Sequence, residues 1–562
     1  MILRHTAIPY FDQANYISRI YFIREAVGRD GYWHPDAYLA GVYSTRPPLM
    51  MVPAVLLWGH TAHPRPVALL WLGLRMATLL LALWIFSRVL SSTAFVPLAL
   101  LVVLGGAFYL QVVPQLYLMD QTFGVFALLA TACLLWELKR PSAKSALGLG
   151  TSLLMLLLIK PAGLIFALPV LAIAGLRGVI WAGSNLRQRD VARVFPWAAA
   201  WIAFFAGLGY LLLSPYWYSA LDLWKTSWQG WWNFPRNAAR FWQMAVLMIP
   251  GWLALLVVWA TARRGTEPPS GPAGAAPPSR GITGWMLAAA MTLTAWWYFY
   301  NVWLSFSNDQ RFPASFLPVG VTFAAILVCS NRRLARAALL VASLLFAGNL
   351  AIASGLGRPT ALQILQPLTG ALARAEHPVA EVGLVNLCRG MQEQMLQTGD
   401  TSGPVCVLIV DEYIDHSSLT LAMRYVNGDQ WSPIRFEQVP WGSTALDVAK
   451  TCQARWFLTK RPRSTITLAG DPFVRLSALE HLLTNTESPL ATKLEKVAEY
   501  TLRQPDRVVG DYFRPDTPWS LSRQTVTLWR LREPITQLDT DRAQQWLKDR
   551  GFLKPPEAAT SP

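Results

Sequence analysis

LGLGTSLLMLLLIKPAGLIFALPVLAIAGL, residues 147–176, contains one charged side chain, Lys160, and two hydroxyls, Thr151 and Ser152, in an otherwise apolar run. A helix needs about 20 such residues to cross roughly 30 Å of hydrocarbon with every backbone hydrogen bond closed inside the segment. The stretch is therefore expected to form either two short helices, near 146–160 and 163–182, or one broken helix with a re-entrant bend at Lys160 and Pro161.

Working outward, similar blocks lie near 68–89, 94–113, 120–137, 195–213, 241–262, 283–305, 312–330 and 335–356. None shows the strict apolar–polar alternation of a membrane strand, which excludes an outer-membrane barrel. With 53% hydrophobic and 15% charged residues, the chain is too greasy for a water-soluble multidomain protein. The expected fold is a polytopic α-helical membrane protein of about ten transmembrane helices followed by a C-terminal soluble α/β domain. Its divisions are residues 1–66, an external loop with amphipathic and interfacial helices; 67–357, the helical bundle; and 358–562, the extracytoplasmic domain. Leu49 to Trp58 is too short to span and suits a helix lying at the interface.

Basic residues set the orientation, because short cytoplasmic loops retain Lys and Arg. Arg88; Lys139, Arg140 and Lys144; Arg177, Arg187, Arg189 and Arg193; Arg263, Arg264 and Arg280; and Arg332, Arg333 and Arg336 fall in alternate loops. These loops share the cytoplasmic side, which places residues 1–66 and everything after 360 outside a cell (inner) membrane that the chain crosses many times. The Pro/Gly-rich stretch GTEPPSGPAGAAPPSRG (265–281) is a flexible linker. Residues 1–66 fit awkwardly, since no apolar anchor precedes Ala7 and Arg4, Arg19, Arg24 and Arg29 lie among them. The expectation is that a leading transmembrane helix is missing, through a misassigned start or a truncation.

Beyond residue 360 the chain becomes charged and punctuated by turns. VCVLIVD (405–411), IRFEQV (434–439), ARWFLTK (454–460) and TVTLWRL (525–531) have strand character, with helical periodicity over 378–398, 417–426, 444–453 and 475–502. No Gly-rich phosphate loop follows a strand. Asp411 and Glu412 end the first strand, where open α/β sheets often bind ligands, though two solvated loop carboxylates are the plainer alternative. The net charge of +16 comes largely from the cytoplasmic loops, with a basic external portion suited to anionic headgroups, so nucleic acid is not an expected partner. Cys133 and Cys329 are expected as packing residues in helices; one disulfide among Cys388, Cys406 and Cys452 is plausible, with its pairing open. No zinc spacing is present, and His60 and His63 are taken as interfacial residues.

Polar residues collect toward the external ends of the spans, where chemistry would have to sit. FDQANYISRIYFIREA (11–26) is an amphipathic helix with Asp12 at its start, and YSTRPPLMMVPAVLLWG (43–59) follows it. Arg75 lies early in the first span, Asp120 opens the third, and Lys160 separates the fourth and fifth. This ordered set, over residues 10–175, resembles the integral-membrane GT-C glycosyltransferases, which include the protein O-mannosyltransferases and the aminoarabinose transferases of lipid A. The resembling features are Asp12 with Tyr16, Arg46 with Pro47, Pro48 and Leu49, then Arg75, Asp120, Lys160, and NDQRFPASFLPVG (308–320) with Arg311, Phe312 and Pro318.

The resemblance implies transfer of a sugar from a polyprenyl-phosphate donor to a lipid, glycan or protein acceptor at the external face. It implies Asp12 as general base with Asp120 orienting it or the acceptor, and Arg46, Lys160 and Arg311 neutralising the phosphate. Tyr16 and Arg75 take supporting roles. No metal ligands are assigned. A divalent cation is the one cofactor left open, and the case for one held by two carboxylates is weakened because Asp12 and Gln13 supply one carboxylate where the family's acidic pair supplies two. The family's first helix has no counterpart here. Each residue also has a plainer role: Asp12 and Asp120 as helix caps, Arg75 pairing a carboxylate, Lys160 and Arg311 snorkelling to the interface. The loop 214–240, rich in Trp and Tyr, suits an aromatic belt or a wall that stacks on carbohydrate or prenyl groups. A non-catalytic accessory or lipid-binding protein and a transporter are the competing classes, the latter disfavoured because no internal repeat of broken spans is present.

Overall fold

In the computed structural model the described residues are 12–32, 34, 37–38, 51–57, 64–90, 119–159, 163–213, 340, 383–400, 404–409, 414–427, 434–438, 454–461, 479–505 and 521–551. The expected spans at 94–113, 241–262, 283–305, 312–330 and 335–356, the helix at 444–453, the linker and the Trp-rich loop lie outside them, apart from Leu340.

Helix α1 (Asp12–Asp30) is followed by the short α2 (Met51–Leu57) and by α3 (Pro64–Leu90). Then come α4 (Met119–Lys139), α5 (Ala143–Ile159), α6 (Gly163–Arg187) and α7 (Val191–Leu213). Four of these, α3, α4, α6 and α7, are long and apolar enough to cross a membrane. At 17 residues α5 is about 26 Å long, the short end of what a span requires. The boundaries follow the charges: α3 carries Arg88 in its last turn, and α4 and α6 end at Lys139 and Arg187.

The alternatives at Lys160 resolve into two helices. A Cβ added to Gly163 would lie 2.9 Å from the carbonyl oxygen of Leu156, so glycine is what lets α6 begin hard against the last turns of α5. Small residues also set the contact of α5 with α7, where a Cβ on Gly150 would meet Phe204 at 3.0 Å and one on Gly207 would meet Leu154 at 3.2 Å. Helix α4 is the centre of the group, buried without a break from Thr122 to Leu135. By contrast α7 exposes Phe195, Ile202, Phe205, Tyr210 and Leu213, and α3 exposes Leu80, Leu81 and Trp84, as a lipid-facing surface would.

The C-terminal region is an α/β layer structure with a mixed sheet. Strands β1 (Pro404–Val407), β2 (Arg435–Gln438), β3 (Trp456–Arg461), β4 (Leu494–Pro505) and β5 (Leu521–Leu531) are ordered β2-β1-β3-β5-β4. Strand β1 runs parallel to β2 and β3, whereas β5 is antiparallel to both β3 and β4. Successive residues serve opposite faces, as strand geometry requires. Val405, Val407, Trp456 and Leu458 pack beneath α8 (Leu384–Gln397) and α9 (His416–Val426). Cys406, Leu408 and Phe457 pack on the other side, against a short helix at 479–484 and α10 (Gln537–Asp549).

Two expectations are corrected here. Residues 475–502 are not one helix: among the described residues α-helix covers 479–484, Ala491–Lys493 is a single 3-10 turn, and Leu494–Pro505 is a 12-residue strand. A β-bulge between Lys496 and Ala498 shifts the register, so apolar positions before and after it fall out of step and imitate helical spacing. The cysteines of the domain are also apart. Cys388 is a buried thiol whose S–H donates to the Leu419 carbonyl at 3.6 Å, and Cys406 belongs to the core on the opposite face of the sheet, so the two are not bridged. Burial pushes the Cys388 thiol well above the ordinary cysteine range, which makes it inert. Cys452 lies outside the described residues.

Candidate functional site

The expected site residues divide by what the structure places. Asp12 is the first residue of α1 and Tyr16 follows one turn on, both by their backbone. Asp120 is the second residue of α4, again by its backbone. Arg46, Lys160 and Arg311 lie outside the described residues, as do His60, His63, Asp411, Glu412 and the side chains of Asp12, Tyr16 and Asp120. Ile159 ends α5 and Gly163 opens α6, so Lys160 sits in the connection between these two helices.

Arg75 is fully placed. Its side chain is 3% exposed within α3, and its Nε–H donates to the hydroxyl oxygen of Thr122 at 2.7 Å. Thr122 is buried too and stands two residues after Asp120, so the guanidinium reaches the turn of α4 that begins with Asp120. A cation inside an apolar bundle is costly unless polar groups surround it, and hydroxyls at the mouth of a neighbouring helix are suitable ones. Arg75 thereby ties the first span to the end of α4 where the acidic candidate lies. Other threonines in this region, Thr78 and Thr131, donate to carbonyls one turn back in their own helices and are satisfied locally.

Helix α1 is held against the bundle by one face. Ile17, Ile20, Tyr21, Ile23, Ala26 and Val27 are buried in a core shared with α2 and the spanning helices, while Gly28 to Asp30 are exposed.

A second buried polar centre had no counterpart among the expected residues. Glu137, fully buried near the end of α4, accepts hydrogen bonds from the Ser145 hydroxyl and from Nε1–H of Trp197 at 2.6 Å. Close by, Arg177 Nε–H donates to the Leu138 carbonyl at 3.2 Å and the Lys139 ammonium to the carbonyl of Val89. The signal for it was a lone Glu in the apolar run ATACLLWELK (130–139). This centre lies at the opposite end of α4 from Asp120 and pins α4, α5 and α7 together.

In the C-terminal α/β region β1 lies between β2 and β3, so the chain reverses direction across the sheet at the carboxyl end of β1. Helix α9 begins there with a capping box: Asp415 accepts from the Ser418 amide at 2.8 Å, and the Asp415 amide donates to the Ser418 hydroxyl at 2.9 Å. That helix end is satisfied by its own side chains. Among the described residues no group of three His, Cys, Asp or Glu is placed to hold a metal ion. Comparison of the chain with models of protein families, with curated proteins and with solved structures gives no match.

Proposed function

We propose that this chain is a membrane glycosyltransferase that moves a sugar from a polyprenyl-phosphate donor to an acceptor hydroxyl at the external face. The observation that carries the proposal is the buried Arg75, which spends its charge at the turn of α4 that begins with Asp120. A buried guanidinium that reaches the turn of a helix opening with an acidic residue is a setting in which charge can develop away from water. In the reaction, Asp12 accepts the proton of the acceptor hydroxyl and the freed oxygen attacks the anomeric carbon. The bond from that carbon to the phosphate oxygen breaks, and the polyprenyl phosphate leaves with the electron pair. Arg46, Lys160 and Arg311 neutralise the phosphate, Arg through two parallel donors and Lys as a point charge. Asp120 orients Asp12 or the acceptor.

In this reading the protein is a multi-pass component of the cell membrane with its C-terminal domain outside. The contact of α1 with α9 supports that arrangement, since it keeps the N-terminal segment and the soluble domain together.

The test is transfer of labelled sugar from polyprenyl-phosphate sugars by the purified protein in lipid. Replacing the base in Asp12→Asn is expected to lower turnover by about 10²–10⁴-fold with donor binding retained. Equal turnover in the variant moves the base to Asp120. Absence of transfer by the wild type with every donor, alongside retained donor binding, makes the chain a lipid-binding accessory protein instead.

A further inference from the structure

Arg424 belongs to α9, in the soluble domain, yet its side chain turns away from the sheet. Leu419, Ala422 and Met423 pack on the domain core, whereas Leu421 is fully buried in the cluster formed by α1 and the spanning helices. The helix therefore has two apolar faces, one for the sheet and one for α1. Arg424 is 4% exposed, with its guanidinium carbon 3.9 Å above the ring of Tyr21 and Nη2 3.5 Å from Glu25 Oε1. Tyr21 and Glu25 are four residues apart on α1 and so share a face. One covers the flat side of the guanidinium and the other meets its edge, a division of contacts that suits Arg and not Lys.

We propose that Arg424 is a positioning residue through which the soluble domain fixes the direction of α1, and with it Asp12, at the face of the bundle. The statement about Asp12 rests on the glycosyltransferase reading; the clamp itself does not. The thirteen helical steps from Asp12 to Glu25 make about 20 Å of helix. A swing of about 10° at the Glu25 end displaces the Asp12 end by roughly 3 Å, where about 1 Å already costs up to 10²-fold in rate. Holding the helix at Tyr21 and Glu25 is thus enough to set its far end.

The experiment is hydrogen exchange of the full-length protein in lipid nanodiscs, with turnover measured on the same samples for wild type, Arg424→Ala, Arg424→Lys and Glu25→Arg. In Arg424→Ala, exchange over 17–27 is expected to rise tenfold or more while β3 and β5 keep their protection. Turnover is expected to fall about 10–100-fold at unchanged KM. Arg424→Lys keeps the charge near Glu25 and recovers part of both. If Arg424→Ala also opens the sheet, Glu25→Arg decides, because it reverses the contact without touching the domain. Unchanged exchange over 17–27 in that variant overturns the clamp, and loosened α1 with wild-type turnover overturns the positioning role. If the wild type transfers no sugar at all, the glycosyltransferase reading fails while the exchange contrast still decides the clamp.

Discussion

A guanidinium inside a helical bundle must find its hydrogen-bond acceptors among the groups packed around it, and one of those for Arg75 is the hydroxyl of Thr122. Thr122→Val keeps the shape and removes the acceptor, and is expected to cost about 1–2 kcal/mol, read as a lowered unfolding midpoint in detergent. Tyr500 is the contrasting case. Its ring lies where a Cβ on Gly390 would approach to 2.7 Å, and its hydroxyl has no hydrogen-bond partner among the described residues. Burial, reinforced by the charge of Glu393, pushes this phenol up to about 12. A raised phenol contributes stability that is complete below the ordinary tyrosine value near 10 and is lost as pH climbs toward the folded value. Tyr500→Phe is therefore expected to leave stability at neutral pH unchanged or up to about 1 kcal/mol higher, and to remove the loss between about pH 10 and 12 in denaturant titrations. In sequence, Arg75 stood out because a lone cation in an apolar run is conspicuous. Glu137 carried the same signal near the basic end of its span, where a Glu beside a Lys is easily taken for a solvated pair. Its hydrogen bonds to Ser145 and Trp197 are made by helices that no local pattern could bring together.

Among the elements, the C-terminal helix shows how far a single carboxylate can be committed. Asp539, in the first turn of α10, receives the ammonium of Lys493 at 2.5 Å and the Thr536 hydroxyl at 2.6 Å, and the Thr536 amide donates to it as well. These contacts, Lys493 foremost, hold it well below the usual carboxylate range. Its stabilising effect is thus present above the ordinary Asp value and is lost as pH falls through that value toward the folded one. Helix α10 is expected to exchange faster once pH drops below about 4, and Asp539→Asn should exchange that fast already at neutral pH. The strand β4 illustrates what pattern cannot supply. Ala498, Tyr500 and Leu502 keep a period of two, but the bulge before them breaks continuity with Leu494, and LEKVAEYTL consequently matches a helix. The partner strand β5 carries no such interruption and was legible as TVTLWRL.

At the scale of the molecule, the four described helices long and apolar enough to span were readable because hydrocarbon demands long apolar runs and because Arg88, Lys139 and Arg187 mark where three of those runs stop. The layer class of the C-terminal α/β region was readable from alternating strands and helices, though strand β4 and its antiparallel pairing with β5 were not. The candidate site was legible only as an order of residues along the chain; which of them meet is decided by packing between helices, as with Arg75 and Thr122. The α1–α9 contact was invisible for the same reason, since Arg424 in LAMRYV looks like a solvated helix residue. Removing the C-terminal α/β region by ending the chain at residue 357 is expected to expose α1, with trypsin cutting at Arg24 several times faster than in the full chain. The contact also has a clock. Glu25 and Arg424 are separated by about 400 residues, which at roughly 5–20 residues per second is on the order of 20–80 s of ribosomal synthesis. For that interval α1 exists without this partner, so Tyr21 and Glu25 stay uncovered by Arg424 until α9 has been synthesised.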